Sequence, residues 1–235
     1  MNNFEVWFEE FISKHNFDPK LKNKVNFLPF NQYSNFRKSK NQFTVFEDQW
    51  IQSPEIIISK IKSIYGFSER IFARKCRVKK IYKYKAKHFL NKHHIYGNAK
   101  SKHRYGLFFD KQLIAVSTFA GQRNFPKGRS AEMLRFCNAS GLIVIGGFSK
   151  LLKAYIRDYK PDDIMTYADP DWGTGNSYKK RGFAEAEKRD AINFFCHKKT
   201  GKRIPEKHFT DYKNISQYQK LTNSGSLKFV LNLNK

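Results

Sequence analysis

Apolar positions come first. Phe4, Trp7, Phe8, Phe11 and Ile12 recur every three or four residues, which predicts an amphipathic helix over Asn3 to His15. Asn16 to Gln42 is polar and irregular, with Pro19 and Pro29, and reads as a wrapped arm. Phe43 to Phe46 reads as a short strand. A helix then opens at Ser53 as N-cap with Pro54 in its first turn, sets Ile57, Ile58, Ile61 and Ile64 on one face, and ends at Gly66.

Downstream the pattern alternates between the two periods. Strands are predicted near Ala73 to Ile81, over Tyr105 to Phe109 and Leu113 to Phe119, near Glu132 to Cys137, and over Ile164 to Ala168, Ala191 to His197 and Leu227 to Leu231. Helices are predicted near Lys85 to Lys92, from Phe148 to Asp158 and near Asn176 to Arg181, with a turn at Lys198 to Lys202. The expected class is α+β, a mixed sheet flanked by helices with a helical N-terminal extension.

With 40% hydrophobic residues the chain is expected to be globular. Its 45 Lys and Arg against 20 Asp and Glu give a net charge of +25, which names nucleic acid, DNA foremost, as the expected partner. No run of about 18 apolar residues offers a membrane span, and the acidic N-terminus resembles neither a signal nor a transit peptide. Cys76, Cys137 and Cys196 are far apart and odd in number, so reduced thiols, a cytoplasmic setting and no metal site are expected.

Charge is concentrated as well as large. Arg70 to Phe109 contains thirteen Lys or Arg, four histidines and no carboxylate, interleaved with Tyr82, Tyr84, Tyr96 and Tyr105. A solvated basic face is the plain reading. The interleaved rings favour a nucleic-acid surface, with Arg74, Lys75, Arg77, Lys79, Lys80, Lys100, Lys102 and Arg104 as candidate contacts.

"LIVIGGFSKLLKAYIRDY" runs an apolar stretch into two glycines and a helix. Glycine lets a ligand approach the backbone, and free N–H groups at a helix start attract phosphate, so Gly146, Gly147, Phe148, Ser149 and Lys150 are candidates to cradle a pyrophosphate. Together with the following strand and "NSYKKRGF", this order resembles the GCN5-related N-acetyltransferase superfamily over roughly Arg74 to His197. The resemblance implies acetyl-CoA or another acyl-CoA as cofactor. It also implies that Tyr178, which precedes Gly182 and Phe183, protonates the departing thiolate. The glycine turn departs from the family pattern, since Ile145 precedes two adjacent glycines.

Two narrower resemblances follow. "EMLRFCN" with "TYADPDWGTGNSYKK" is similar to the phage Mom-type DNA-modification proteins, which implies roles for Arg135, Asp169, Tyr178 and His94, with His93 as the alternative to His94. "VFEDQWIQSPEIIISKIKSIYGFSERIFARKCRVKKI" resembles the segment joining Vsr-like nuclease domains of phage homing endonucleases to an acetyltransferase-like domain. Only Met1 to Thr44 precede that match, too few for the nuclease core. The implied organisation is an extension and linker over 1–70 and an acetyltransferase-like domain over 71–235.

Among the candidates, Asp169 ends a predicted strand, where it either acts chemically or caps a turn. Glu132 and Arg135 are three apart, so a regular strand sets them on opposite faces, and Arg135 is the one expected in a cleft, on phosphate or paired with Asp169. His94 is either a base or a surface contact, Trp172 stacks a flipped base or packs as a lid, and Cys137 is a small buried hydrophobe. The leading expectation is a DNA-associated acyltransferase of phage or mobile-element type, with a DNA base as one acceptor. A noncatalytic DNA-binding module and a protein or small-molecule N-acetyltransferase are the alternatives.

Overall fold

The computed structural model describes residues 3–15, 24–35, 42–125 and 128–234. In chain order the elements are α1 (Asn3–Lys14), β1 (Val25–Leu28), β2 (Phe43–Phe46), α2 (Glu47–Gln52), α3 (Pro54–Ile64), β3 (Glu69–Phe72), β4 (Arg77–Lys80), α4 (Lys83–His93), β5 (His103–Phe109), β6 (Gln112–Phe119), β7 (Arg123–Phe125) and β8 (Gly128–Asn138). There follow β9 (Leu142–Ile145), α5 (Gly147–Tyr159), β10 (Asp163–Ala168), α6 (Asn176–Lys179), β11 (Ala184–Arg189), β12 (Asn193–His197), β13 (Arg203–Pro205), β14 (Tyr218–Thr222) and β15 (Ser226–Asn232).

The class is α+β, with a mixed sheet and flanking helices as expected. Contacts divide the chain into two compact units that are not consecutive segments. One unit holds 1–57, 169–174 and 188–226, and the other holds 58–168, 175–187 and 227–235. The boundary expected at residue 70 falls inside the second unit.

In that second unit seven strands run in the order β11-β15-β10-β8-β6-β5-β4, and β7 pairs with the start of β8. β8 and β10 are parallel, while β10 pairs antiparallel with β15 and β8 with β6. The parallel pair needs a crossover, which α5 supplies. Ala115 and Val116, adjacent on β6, point to opposite faces. Ala115 joins the cluster of Leu107, Phe119, Leu151 and Tyr155 under α5, and Val116 joins Ala86, Phe89 and Leu90 of α4. The sheet therefore has α5 on one face and α4 on the other. On the α5 face Tyr155 stacks on Phe119 with ring centroids 3.8 Å apart, and each fully buried Leu or Phe there contributes about 1.5–3 kcal/mol.

The first unit is built on aromatic contacts and two small sheets. Phe4 of α1 stacks on Phe27 at 4.5 Å and meets Trp50 edge-on at 5.0 Å. β1 pairs in parallel with β2, and β12 lies between β13 and β14. Leu28, Tyr33, Phe46, Cys196 and Leu221 form its core. Asp48, buried there, accepts hydrogen bonds from Tyr33 Oη and from Arg203 Nε and Nη2.

Several expectations change. The arm expected over Asn16 to Gln42 contains a real strand, β1, whose Val25 and Leu28 are buried and whose backbone pairs with β2; 16–23 and 36–41 lie outside the described residues. The strand expected from Ala73 begins with a 3₁₀ turn over Ala73–Lys75. β3 and β9, four residues each, pair in parallel with one another.

Candidate functional site

β8 controls the geometry. Phe119 pairs with Met133 and Thr118 with Arg135, so Leu134 is an extra residue, a β-bulge. The bulge shifts the alternation by one. Met133 and Phe136 both join the α5 core, while Glu132, Arg135 and Cys137 turn to the α4 face, where Cys137 packs on the cluster of Ala86, Phe89 and Leu90. This overturns the expectation that Glu132 and Arg135 face opposite ways, and their charges do interact.

At the same place β8 and β10 part. They pair only through Ser130–Asp163, Ala131–Ile164 and Glu132–Met165. Beyond that, β8 continues against β6 and β10 against β15, leaving a gap between parallel strands. The carbonyl of Met133, at the edge of the gap, accepts the Thr166 hydroxyl at 3.0 Å. Thr166 also lies beside the Tyr178 phenol and acts to lower its pKa against the larger effect of burial. The ring of Tyr178 packs against Phe148 (5.7 Å), Phe183 (5.7 Å) and Phe229 (5.3 Å) on the α5 face. Burial raises its pKa, so the phenol keeps its proton at neutral pH.

The glycine turn opens α5 on that face. Gly146 is the N-cap at φ +80°, a conformation that favours glycine, and a Cβ on Gly147 would lie 3.0 Å from Val144 Cβ. The first-turn N–H groups of Gly147, Phe148 and Ser149 have no acceptor within the helix. Lys150 departs from its expected role. Its Nζ donates to the carbonyls of Ala73 at 2.8 Å and Cys76 at 2.6 Å, holding the 73–76 turn on α5.

On the α4 face, α4 ends at His93, and the two histidines separate in role. Ser140 N–H donates to His93 Nδ1 at 3.0 Å, which ties the helix end to the turn after β8. His94 Nδ1 accepts the Tyr96 N–H at 3.1 Å, leaving its proton on Nε2. Burial, with Arg135 and Lys60 adding positive charge, pushes the His94 pKa down to about 3. Such a ring is neutral at pH 7, a hydrogen-bond donor rather than a base. Arg135 donates from Nε to Gly97 O at 3.2 Å and from Nη1 to Leu134 O at 2.8 Å. Burial pushes the Cys137 thiol up to about 12, in keeping with a packing role. Lys60 and Glu132 are the residues that sequence reasoning missed: one lies on a distant helix and the other was turned away by the parity of a regular strand.

Asp169 and Trp172 belong to the first unit. Asp169 Oδ1 accepts the Asp171 N–H at 2.8 Å, closing a turn, and Trp172 Nε1 donates to Gln49 Oε1 at 3.3 Å. In the second unit, Lys75, Arg77, Lys79 and Lys80 line a cavity of about 680 Å³ together with Lys85, Lys111 and Asp110. Lys100 and Lys102 are exposed, while Arg104 Nε is held by Ser101 Oγ at 3.1 Å. Tyr105 is buried and donates to Asp158 at 2.7 Å, so it offers no stacking face. Among the described residues, no helix is long and apolar enough to cross a membrane, and no group of three His, Cys, Asp or Glu could hold a metal ion.

No family model matches the chain, and no curated protein matches it. Solved structures similar to it include a GNAT family acetyltransferase from Elizabethkingia anophelis with acetyl-CoA bound, at 12% identity, covering 68% of this chain and 99% of that one, with a TM-score of 0.43. The ribosomal-protein-S18-alanine N-acetyltransferase from Escherichia coli is similar at 10% identity over 68% of this chain and 95% of that one, with a TM-score of 0.44. The IAA acetyltransferase from Bacillus cereus is similar at 13% identity over 67% and 99%, with a TM-score of 0.40.

Proposed function

We propose that the chain is an acyl-CoA-dependent acyltransferase whose acceptor is an amine, with a DNA base as the acceptor its charge favours. One observation carries the reading: the β8/β10 gap joins two faces of the sheet, one with the glycine-started helix and Tyr178, the other with Arg135, His94 and Glu132. The N–H groups of Gly147, Phe148 and Ser149 would hold the pyrophosphate, in a turn where Gly147 leaves no room for a side chain. Bound acyl-CoA supplies the thioester carbonyl that an amine can attack.

The residues then divide the work. Tyr178, protonated and at the edge of the gap through Thr166, gives its proton to the sulfur as the carbon–sulfur bond breaks. His94 Nε2–H and Arg135 orient the acceptor, and Glu132 takes the proton that leaves nitrogen as the amide forms. His94, neutral to low pH, is a poor base, which moves that task from the histidine to the carboxylate.

A second reading, a noncatalytic DNA-binding module, is favoured by Lys150, whose ammonium is engaged by two carbonyls and so is unavailable to phosphate. Thermal unfolding separates the two. Acetyl-CoA at about a hundred times its dissociation constant stabilises a binder by about 2.7 kcal/mol. Ser149→Glu, which suits a helix start but repels an anion, should leave the apo transition unchanged and abolish the shift. Absence of any shift in the parent protein rejects the acyltransferase. Tyr178→Phe and Glu132→Gln then ask whether turnover follows the residues named for proton transfer.

A further inference from the structure

The basic cavity has a feature that charge alone does not require. Tyr82 and Tyr84 stand where β4 passes into α4, 74% and 65% exposed, with rings 5.9 Å apart and 10° from parallel. Tyr82 also lines the cavity, whose wall carries six cations (Lys75, Arg77, Lys79, Lys80, Lys85 and Lys111) against one carboxylate, Asp110. Burying two stacked phenol faces is the ordinary use of such a pair; here water covers them. Lys80 is engaged by Asp158 at 3.1 Å, which leaves the other five cations dominating the wall. β4 is the last strand of its sheet, so the cavity opens at a sheet end rather than under a helix.

We propose that this cavity and the Tyr82–Tyr84 pair form a binding site for single-stranded nucleic acid, the phosphates lying along the lysine-lined wall and unpaired bases stacking on the rings. Duplex fits less well, because its bases are already stacked on one another and hidden from an aromatic side chain, whereas every unpaired base offers a π-face. An acidic peptide would satisfy the cations and leave the rings without a function. The site deepens the nucleic-acid part of the acyltransferase reading and rests on that part alone. It gives an enzyme that must reach a base amine a means of holding an opened strand.

The test is fluorescence-anisotropy titration of the full chain with a 12-nucleotide single-stranded DNA, the matching RNA and the corresponding duplex DNA at fixed salt, alongside the acetyl-CoA unfolding shift. Single strands should bind more tightly than duplex. Tyr82→Ala with Tyr84→Ala should weaken single-strand binding about 5- to 150-fold for each base that loses its ring, while the double Phe variant retains it. Lys79→Gln with Lys85→Gln should lower the salt slope by about 0.7 per lost phosphate contact. Single-strand binding that ignores loss of both rings overturns the proposal, as does duplex binding as tight as single-strand binding. Either result, with the acetyl-CoA shift intact, leaves the acyltransferase standing. Binding to none of the three nucleic acids overturns the nucleic-acid part of that reading too, and loss of the shift alone overturns only the acyl-CoA part.

Discussion

His94 shows how neighbours decide what a residue can do. In the unfolded chain an imidazole titrates near 6.5, while in the fold burial and the charges of Arg135 and Lys60 bring it to about 3. Below pH 6.5 the unfolded state therefore binds more protons than the native state, and stability falls as pH falls toward 3. Above pH 7 both states are neutral and the contribution is flat. His94→Gln should shallow the decline in unfolding free energy between pH 6 and 4, as read by urea titration at each pH. The His94 ring signals should stay those of the neutral form down to pH 4; a midpoint near 6.5 would show that neither burial nor the charges of Arg135 and Lys60 act on the ring.

At the scale of elements, small backbone departures decide the site. α6 starts at Gly175, where φ is +74° and a Cβ would lie 2.1 Å from Phe229 Cζ. Gly175→Ala should cost about 2–4 kcal/mol from the left-handed conformation and the overpacking together. Equilibrium denaturation should show a lower midpoint at unchanged slope. Because Phe229 touches Tyr178, activity should fall with it. In the first unit the buried Asp48–Arg203 pair makes a separate prediction: Arg203→Met strands a carboxylate and should cost about 3–5 kcal/mol by the same measurement. Much of this frame was legible in sequence. The central strands β5, β6, β8, β10 and β15 and the helices near 85–92, 148–158 and 176–181 follow from the apolar pattern and the turn signals, whereas β7 and the fully exposed β11 carry no apolar period to read. The Leu134 bulge does not, since a strand with one inserted residue has the same composition as one without, and it alone turned Glu132 toward Arg135. The role of Lys150 was equally hidden, because the carbonyls it satisfies lie more than seventy positions away.

For the whole molecule the decisive quantity is the net charge of +25, and it makes salt act in opposite directions on folding and on binding. Without a polyanion the like charges repel within the fold. Raising ionic strength from about 0.01 to 0.15 M shortens the screening length from about 30 to 8 Å, so the apo protein should unfold at a higher temperature as salt is added. Binding to nucleic acid draws on the release of counterions and should weaken over the same range, its logarithm falling linearly with the logarithm of salt concentration. At low salt a single-stranded oligonucleotide should therefore raise the unfolding temperature most, by binding and by neutralising repulsion, and its increment should shrink as salt alone takes over the second effect. Calorimetric scans over a salt series, with and without oligonucleotide, measure both trends in one experiment. Two curves that stay parallel across the series would mean that the affinity does not come from the lysines and arginines, and the excess of 45 cations over 20 carboxylates would then need a different partner.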